Sequence, residues 1–280
     1  MKHFSKKLVP AGLIFSMLWL AACEKNPTAP KSQKPNLPPQ SSMAVDLQAF
    51  NNNNNAAGLS KTGADQTAVG LNFIAARLTV GAINLAVLTH MSVPVLTFAA
   101  ALSQQPALQD DGKWHWVYSV SNNAGQQFQA DLAGWIDESE QVSRWEMRIT
   151  TSGLGAPLNN FLWYEGQAAL SNGSGQWDIY DSAQPASSVK AVHIDWDRPS
   201  ADEATLKFTV VKPRVPENGD VLTYKVDGNS RAVTFFDQSA STTLDISWDA
   251  VTNAGYIIAP NYNNGQKSCW DSQLNDTICQ

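Results

Sequence analysis

From Trp114 onward, apolar and polar side chains alternate one for one. Trp114, Trp116, Tyr118 and Val120 interleave with His115, Val117 and Ser119, and Phe128, Ala130 and Leu132 with Gln127, Gln129 and Asp131. Trp145, Met147 and Ile149 likewise alternate with Arg144, Glu146 and Arg148. A period of two gives a sheet one dry face and one wet face. The pattern recurs at residues 192–196, 204–210, 222–226, 233–235 and 244–248. The connections SNNAG, SNGSG, RPSADE, ENGD and DGNS are short and rich in turn formers, which joins neighbouring strands antiparallel. The body is therefore expected to be a meander of about ten strands over residues 113–258.

Upstream the period disappears. Residues 78–102 pass without one Asp, Glu, Lys or Arg. That is long enough to span a bilayer, but Asn84, Thr89, His90, Ser92, Pro94 and Thr97 interrupt it. Helix apolar nearly all round is expected to be buried inside a domain. A membrane span and a pair of hydrophobic strands are the competing readings. Asp65 is placed to cap a first segment, and Ser92 followed by Val93-Pro94 reads as the N-cap of a second, so two helices should meet near His90. A sheet of this size needs cover for its dry face, and the helices need cover too. The expected fold is α+β and mainly β: a curved antiparallel half-barrel or open barrel wrapped around an N-terminal buried helical hairpin.

The chain opens on an address. Lys2, Lys6 and Lys7 precede an apolar stretch from Leu8 to Leu20, and Leu20-Ala21-Ala22-Cys23 closes it. This resembles the lipobox of bacterial lipoproteins, with an ordinary secretory peptide and an uncleaved anchor helix as weaker readings. The resemblance implies removal of residues 1–22, acyl chains on Cys23 and attachment to a membrane of the cell envelope. Glu24 in place of Asp points to the outer membrane. Removing three lysines and no acid leaves 16 Lys+Arg against 25 Asp+Glu, a formal charge of −9 with the amine acylated. Such a chain is a poor partner for nucleic acid or an anionic lipid surface.

Residues 24–64 carry prolines at 27, 30, 35, 38 and 39 and the run Asn51–Asn55, and read as a disordered tether after the lipidated Cys23. Met43 to Phe50 is an apolar patch within it that could dock on the body. Residues 65–280 are expected to form one domain. With Cys23 assigned to lipid, Cys269 and Cys279 remain and should form a C-terminal disulfide in an oxidising compartment.

In element order, helices before a long meander, the body is similar to the lipoprotein-carrier fold of bacterial envelopes. That resemblance implies an apolar cavity for acyl chains between helices and sheet. On the residues themselves, Trp114, Trp116, Trp145, Trp177, Trp196 and Trp248 fall at inward positions, as core or as the wall of a hydrophobic pocket. Arg77 amid apolar helix should pair with a sheet carboxylate or meet a ligand headgroup. Trp135 on an otherwise polar strand face, and Trp163 and Tyr164 in a segment apolar on both faces, break the pattern and are expected to form either an exposed aromatic patch for a sugar or a protein or, for one of them, a contact covered by the tether.

Signals for catalysis are weak. There is no G-x-S-x-G, no H-E-x-x-H, no phosphate-cradling glycine loop and no dinucleotide fingerprint. His193, Asp195 and Asp197, with Asp202 or Glu203 across a turn, would suit a cation, yet a solvated sheet face has the same letters. No enzyme, resident metal or cofactor is expected. Three functions stay open: an envelope lipoprotein binding a lipid or other hydrophobic ligand, a structural or protein-interaction module with a solid core, and a polysaccharide-binding lipoprotein.

Overall fold

The computed structural model describes residues 33–51, 69–86, 88–122, 125–152 and 157–280. The leader, Cys23 and Asp65 lie outside them. Fourteen antiparallel strands make one sheet in strict chain order. They are β1 (Ala107–Leu108), β2 (Trp114–Ser121), β3 (Gln127–Asp137), β4 (Val142–Ser152), β5 (Phe161–Ala169), β6 (Ser174–Tyr180) and β7 (Lys190–Asp197). The sheet continues through β8 (Glu203–Val210), β9 (Val221–Asp227), β10 (Ser230–Asp237), β11 (Thr242–Asp249), β12 (Gly255–Ile258), β13 (Ser268–Trp270) and β14 (Asp276–Thr277). First and last strands do not pair, so the sheet is open and no barrel closes. Both edges are two-residue strands, too short to template another chain.

The alternation translates directly into burial: β4 is buried at every second residue from Ser143 to Thr151. The count of about ten strands is revised to fourteen. β1, β13 and β14 are too short to show a period, and β6 puts a glycine, Gly175, at an inward position.

That glycine belongs to a repeated device. Gly134 and Gly166 flank Trp145 on neighbouring strands, Gly166 also faces Trp177, Gly175 faces Trp196, and Gly255 lies between Trp248 and Trp270. A Cβ on Gly134 would sit 2.4 Å from the Trp145 ring, and one on Gly255 would sit 2.5 Å from the Trp270 ring. Each indole fills the space its glycine leaves bare.

Helices α1 (Gln48–Asn51), α2 (Leu71–Ala86) and α3 (Ser92–Ala101) lie on the apolar face, with a 3-10 turn, Leu88–Met91, carrying His90 between the last two. α2 packs on β12 to β14, whereas α3 reaches β2, and β6 through Phe98 against Trp177. The expected side-by-side hairpin is therefore corrected: the two helices cover different parts of the sheet. Burial is one-sided too. Phe73, Ala76, Val80 and Ile83 form the buried stripe of α2, while Leu71 and Leu78 are 68% and 71% exposed. The uncharged run owes its character partly to small exposed residues such as Gly81 and Ala82, which need no burial. Among the described residues no helix is long and apolar enough to cross a membrane. Ser92 begins α3 with Met91 at the N-cap, one residue earlier than the sequence suggests.

The proline-rich segment, expected to be a tether throughout, packs on the body over residues 33–51. From residue 33 it is a strap laid over the apolar face. The Asn172 side chain donates to the Asn36 and Leu37 carbonyls, Trp177 Nε1 donates to Ser42 Oγ at 3.2 Å, and Phe50 packs on Trp248 and Phe73 at 4.9 and 5.7 Å. Met43, Leu47 and Phe50 join the same core as the sheet and helices. Cys269 and Cys279 are disulfide-bonded, as their isolation from other thiols suggests.

Candidate binding site on the open sheet face

The inward tryptophans do not converge on one opening. Trp116 packs on Trp145 at 5.5 Å, Trp145 Nε1 donates to Ser143 Oγ, and Trp248 is covered by Phe50 and Tyr224. Trp196 is buried, and Trp114 is partly buried against the same core. Strap and helix side chains occupy the space that the expected pocket needs. Among the described residues Trp196 Nε1 is buried without a hydrogen-bond partner, and the buried Tyr164 Oη has only the Thr97 side chain near it, short of a well-formed bond. Arg77 is half-buried on α2 and makes no ion pair among the described residues, so the expected sheet carboxylate is not its partner.

The exposed patch is also revised. Trp163 and Tyr164 are 8% and 0% exposed. A register shift opposite Met147 and Arg148 inserts Trp163 as an extra residue, so Tyr164 pairs with Met147 on the dry face and Trp163 packs on Phe161 and Phe128. Only Trp135 stays on the open face, half-buried, with Lys113 Nζ 3.8 Å from its ring centroid.

Around Trp135 the open faces of β4, β5 and β6 form three rows in register. Arg144, Gln167 and Gln176 make the first, Glu146, Glu165 and Asp178 the second, and Arg148 and Leu162 the third, which Tyr180 of β6 adjoins. Tyr180 comes there by plain alternation after Gln176 and Asp178, while a second register shift beside it makes Ala191 the extra residue on β7 and pairs Tyr180 with Lys190. It goes unnoticed in the sequence because Gly175, at an inward position, hides the alternation of this strand.

Two clefts open on these rows. One of about 190 Å³ is lined by Trp135, Arg144, Glu165, Gln167, Gln176 and Asp178. The other, about 490 Å³, lies at the end of the same strands against Arg148, Leu158, Asn160, Leu162, Tyr180 and Pro185. Tyr180 Oη donates to Glu165 Oε1 at 2.5 Å and Arg148 Nη2 stands 4.0 Å from Glu146 Oε2, so two contacts form a waist between the clefts.

The charges here are held in place. Arg144 bonds Asp137 at 2.9 Å, Glu140 at 2.6 Å and Gln167 Oε1 at 3.2 Å. The Ser139 hydroxyl and Arg144 hold the Asp137 carboxyl down at about 2. Burial, then the Glu165 carboxylate, pushes the Tyr180 phenol well above its ordinary value, so it stays a donor. Asp178 takes Lys190 Nζ and His193 Nδ1, both at 2.7 Å, and His193 Nε2 meets Asp195 at 3.2 Å. The imidazole is thus spoken for by carboxylates on its own face. Asp197, Asp202 and Glu203 take no part, and among the described residues no three His, Cys, Asp or Glu side chains form a group that could hold a metal ion. No family model, curated protein or solved structure matches this chain.

The arrangement offers an aromatic ring, planar amides, a guanidinium and engaged carboxylates on one open face.

Proposed function

We propose that this protein is a lipid-anchored, non-enzymatic module of the bacterial cell envelope that works through its open sheet face around a solid core. The lipobox-like leader and Cys23 support the anchor. One observation carries the solid core: Met43, Leu47 and Phe50 of the strap, with Phe73 and Phe98 of the helices, are buried on the apolar face where a carrier would hold acyl chains. A chain that fills its own interior leaves its outer surface for work.

A second reading, carriage of a hydrophobe with one polar atom, draws on the buried Tyr164 hydroxyl and the Trp196 indole N–H, which has no partner among the described residues. The same experiment separates the two. Mass spectrometry of an organic extract of the purified mature protein should find no apolar compound near one mole per mole beyond lipid covalently attached at Cys23. A stoichiometric free lipid in that extract would sink the solid-core reading.

A further inference from the structure

We infer that the two clefts on β4, β5 and β6 form one binding groove for a linear, neutral polysaccharide, with Trp135 at one end and Leu162 at the other. The inference rests on the reading of the open face as the working surface and adds to it a ligand class and a direction.

Register comes first. Residues 144 and 146 of β4, 167 and 165 of β5, and 176 and 178 of β6 are paired row by row at the first cleft, and Arg148, Leu162 and Tyr180 of the same strands meet at the second. Alternate residues on a strand are spaced roughly 7 Å apart, so the rows cover on the order of 15–20 Å along one direction. That is the footprint of a chain of several pyranose units, lying along the strands and crossing the waist at Tyr180 and Glu165.

Chemistry selects the class. These are interior strands, each paired on both sides, so no free backbone edge is offered and a peptide cannot add as a strand. Recognition must use side chains. Gln167 and Gln176 present amides, Glu165 and Asp178 present acceptors, and Arg144 is fixed by Asp137 and Glu140. Hydroxyl groups, each donor and acceptor, match that mixture, and the apolar face of a sugar ring matches the indole of Trp135. Ionic balance argues for a neutral polymer: Glu146, Glu165 and Asp178 are answered by Lys113, Arg148 and Lys190, and by Tyr180 as donor. A strongly charged chain would have to displace these pairs.

The test uses the full chain made in a bacterium with its leader, purified in a detergent that contains no sugar. Isothermal titration is run with cello-, laminari-, malto-, xylo- and chito-hexaose and with the matching disaccharides. At least one hexaose should bind about tenfold or more tightly than its disaccharide, since it alone bridges both clefts. Trp135→Ala and Gln176→Ala should each weaken that hexaose about tenfold with melting temperature unchanged. Arg148→Ala should weaken the hexaose and leave the disaccharide as it was. Silence across the whole panel overturns the groove. So does a hexaose that binds no better than its disaccharide, or one whose affinity ignores both Trp135→Ala and Gln176→Ala. Gln176 is a half-buried surface position, so its variant keeps the test readable if Trp135→Ala fails to fold. Free lipid in the organic extract would count against the solid core and leave this outcome standing, and the converse holds as well.

Discussion

Asp276, at the start of β14, caps the helix that begins two hundred residues earlier: its Oδ1 accepts the Asn72 backbone N–H at 2.9 Å. Oδ2 takes the Leu71 N–H at 3.2 Å. A helix start leaves its first N–H groups unpaired and carries partial positive charge, so a carboxylate there is doubly suited. Asn72 tightens the joint, donating to the Cys269 carbonyl at 2.7 Å and accepting from Tyr262 Oη at 2.7 Å. Asp276→Ala should therefore lower the unfolding free energy by about 1 kcal/mol in urea titrations, with Asp276→Asn losing less. An alanine variant with the parental midpoint and slope would mean that the cap contributes nothing.

The disulfide should act on the same joint. Cys269 and Cys279 enclose Asp276 within a ten-residue separation, and closing so short a loop stabilises by roughly 2–3 kcal/mol in the chain-entropy model. Replacing both cysteines with serine should cost about that much and reduce the additional penalty of Asp276→Ala, because a frayed terminus no longer presents its carboxylate. Strict additivity in the double-mutant cycle would show that the bridge and the cap are independent.

Two glycines should respond to alanine with opposite signs. At Gly166 a Cβ would fall 2.3 Å from the Gln176 carbonyl and 2.4 Å from the Trp177 ring, so Gly166→Ala should destabilise by about 1–3 kcal/mol or more. At Gly81, exposed within α2, nothing lies within 4 Å, and Gly81→Ala should stabilise by roughly 0.5–1 kcal/mol through helix propensity. Thermal melts of the two variants read both signs. A neutral Gly166→Ala would contradict the packing of indoles on glycine.

These residues also mark what the sequence discloses. A period of two announces which side chains of β4 face in, because every inward residue from Ser143 to Thr151 meets the same apolar cover. It cannot announce the partners of long-range caps. Asp65, which has the local features of an N-cap, lies outside the described residues, and the carboxylate found on α2 comes from Asp276, a relation fixed only when β14 arrives. The strap was half legible: Met43 to Phe50 carries apolar letters, but proline and asparagine on either side disguise a segment whose hydrogen bonds are made by Asn172 and Trp177. Trp163 and Tyr164 face inward for a different reason. One inserted residue in β5 inverts the expected facing, and a bulge leaves no trace in composition. The groove itself joins Arg144, Glu165 and Asp178 from three strands, so register had to be known before it could be read.

Alkaline titration offers a measure of the core. Burial pushes the Tyr224 phenol up to about 12 against an ordinary value of 10.0, with the nearby Asp46 carboxylate adding to the rise and Arg231 opposing it. Burial also raises Tyr118, whose hydroxyl bonds the Thr97 carbonyl of α3. The sign follows from linkage. Above pH 10 an unfolded chain releases these protons while the folded chain keeps them, so the folded state binds more protons and stability falls as pH rises. The contribution is whole below pH 10 and is lost progressively toward about 12. Each such phenol adds a slope approaching about 1.4 kcal/mol per pH unit within that window. Urea midpoints taken in steps from pH 9 to 12 should fall along this limb, and Tyr224→Phe should make it shallower while leaving the portion due to Tyr118. An unchanged slope in Tyr224→Phe would show that this phenol ionises as freely in the fold as in water.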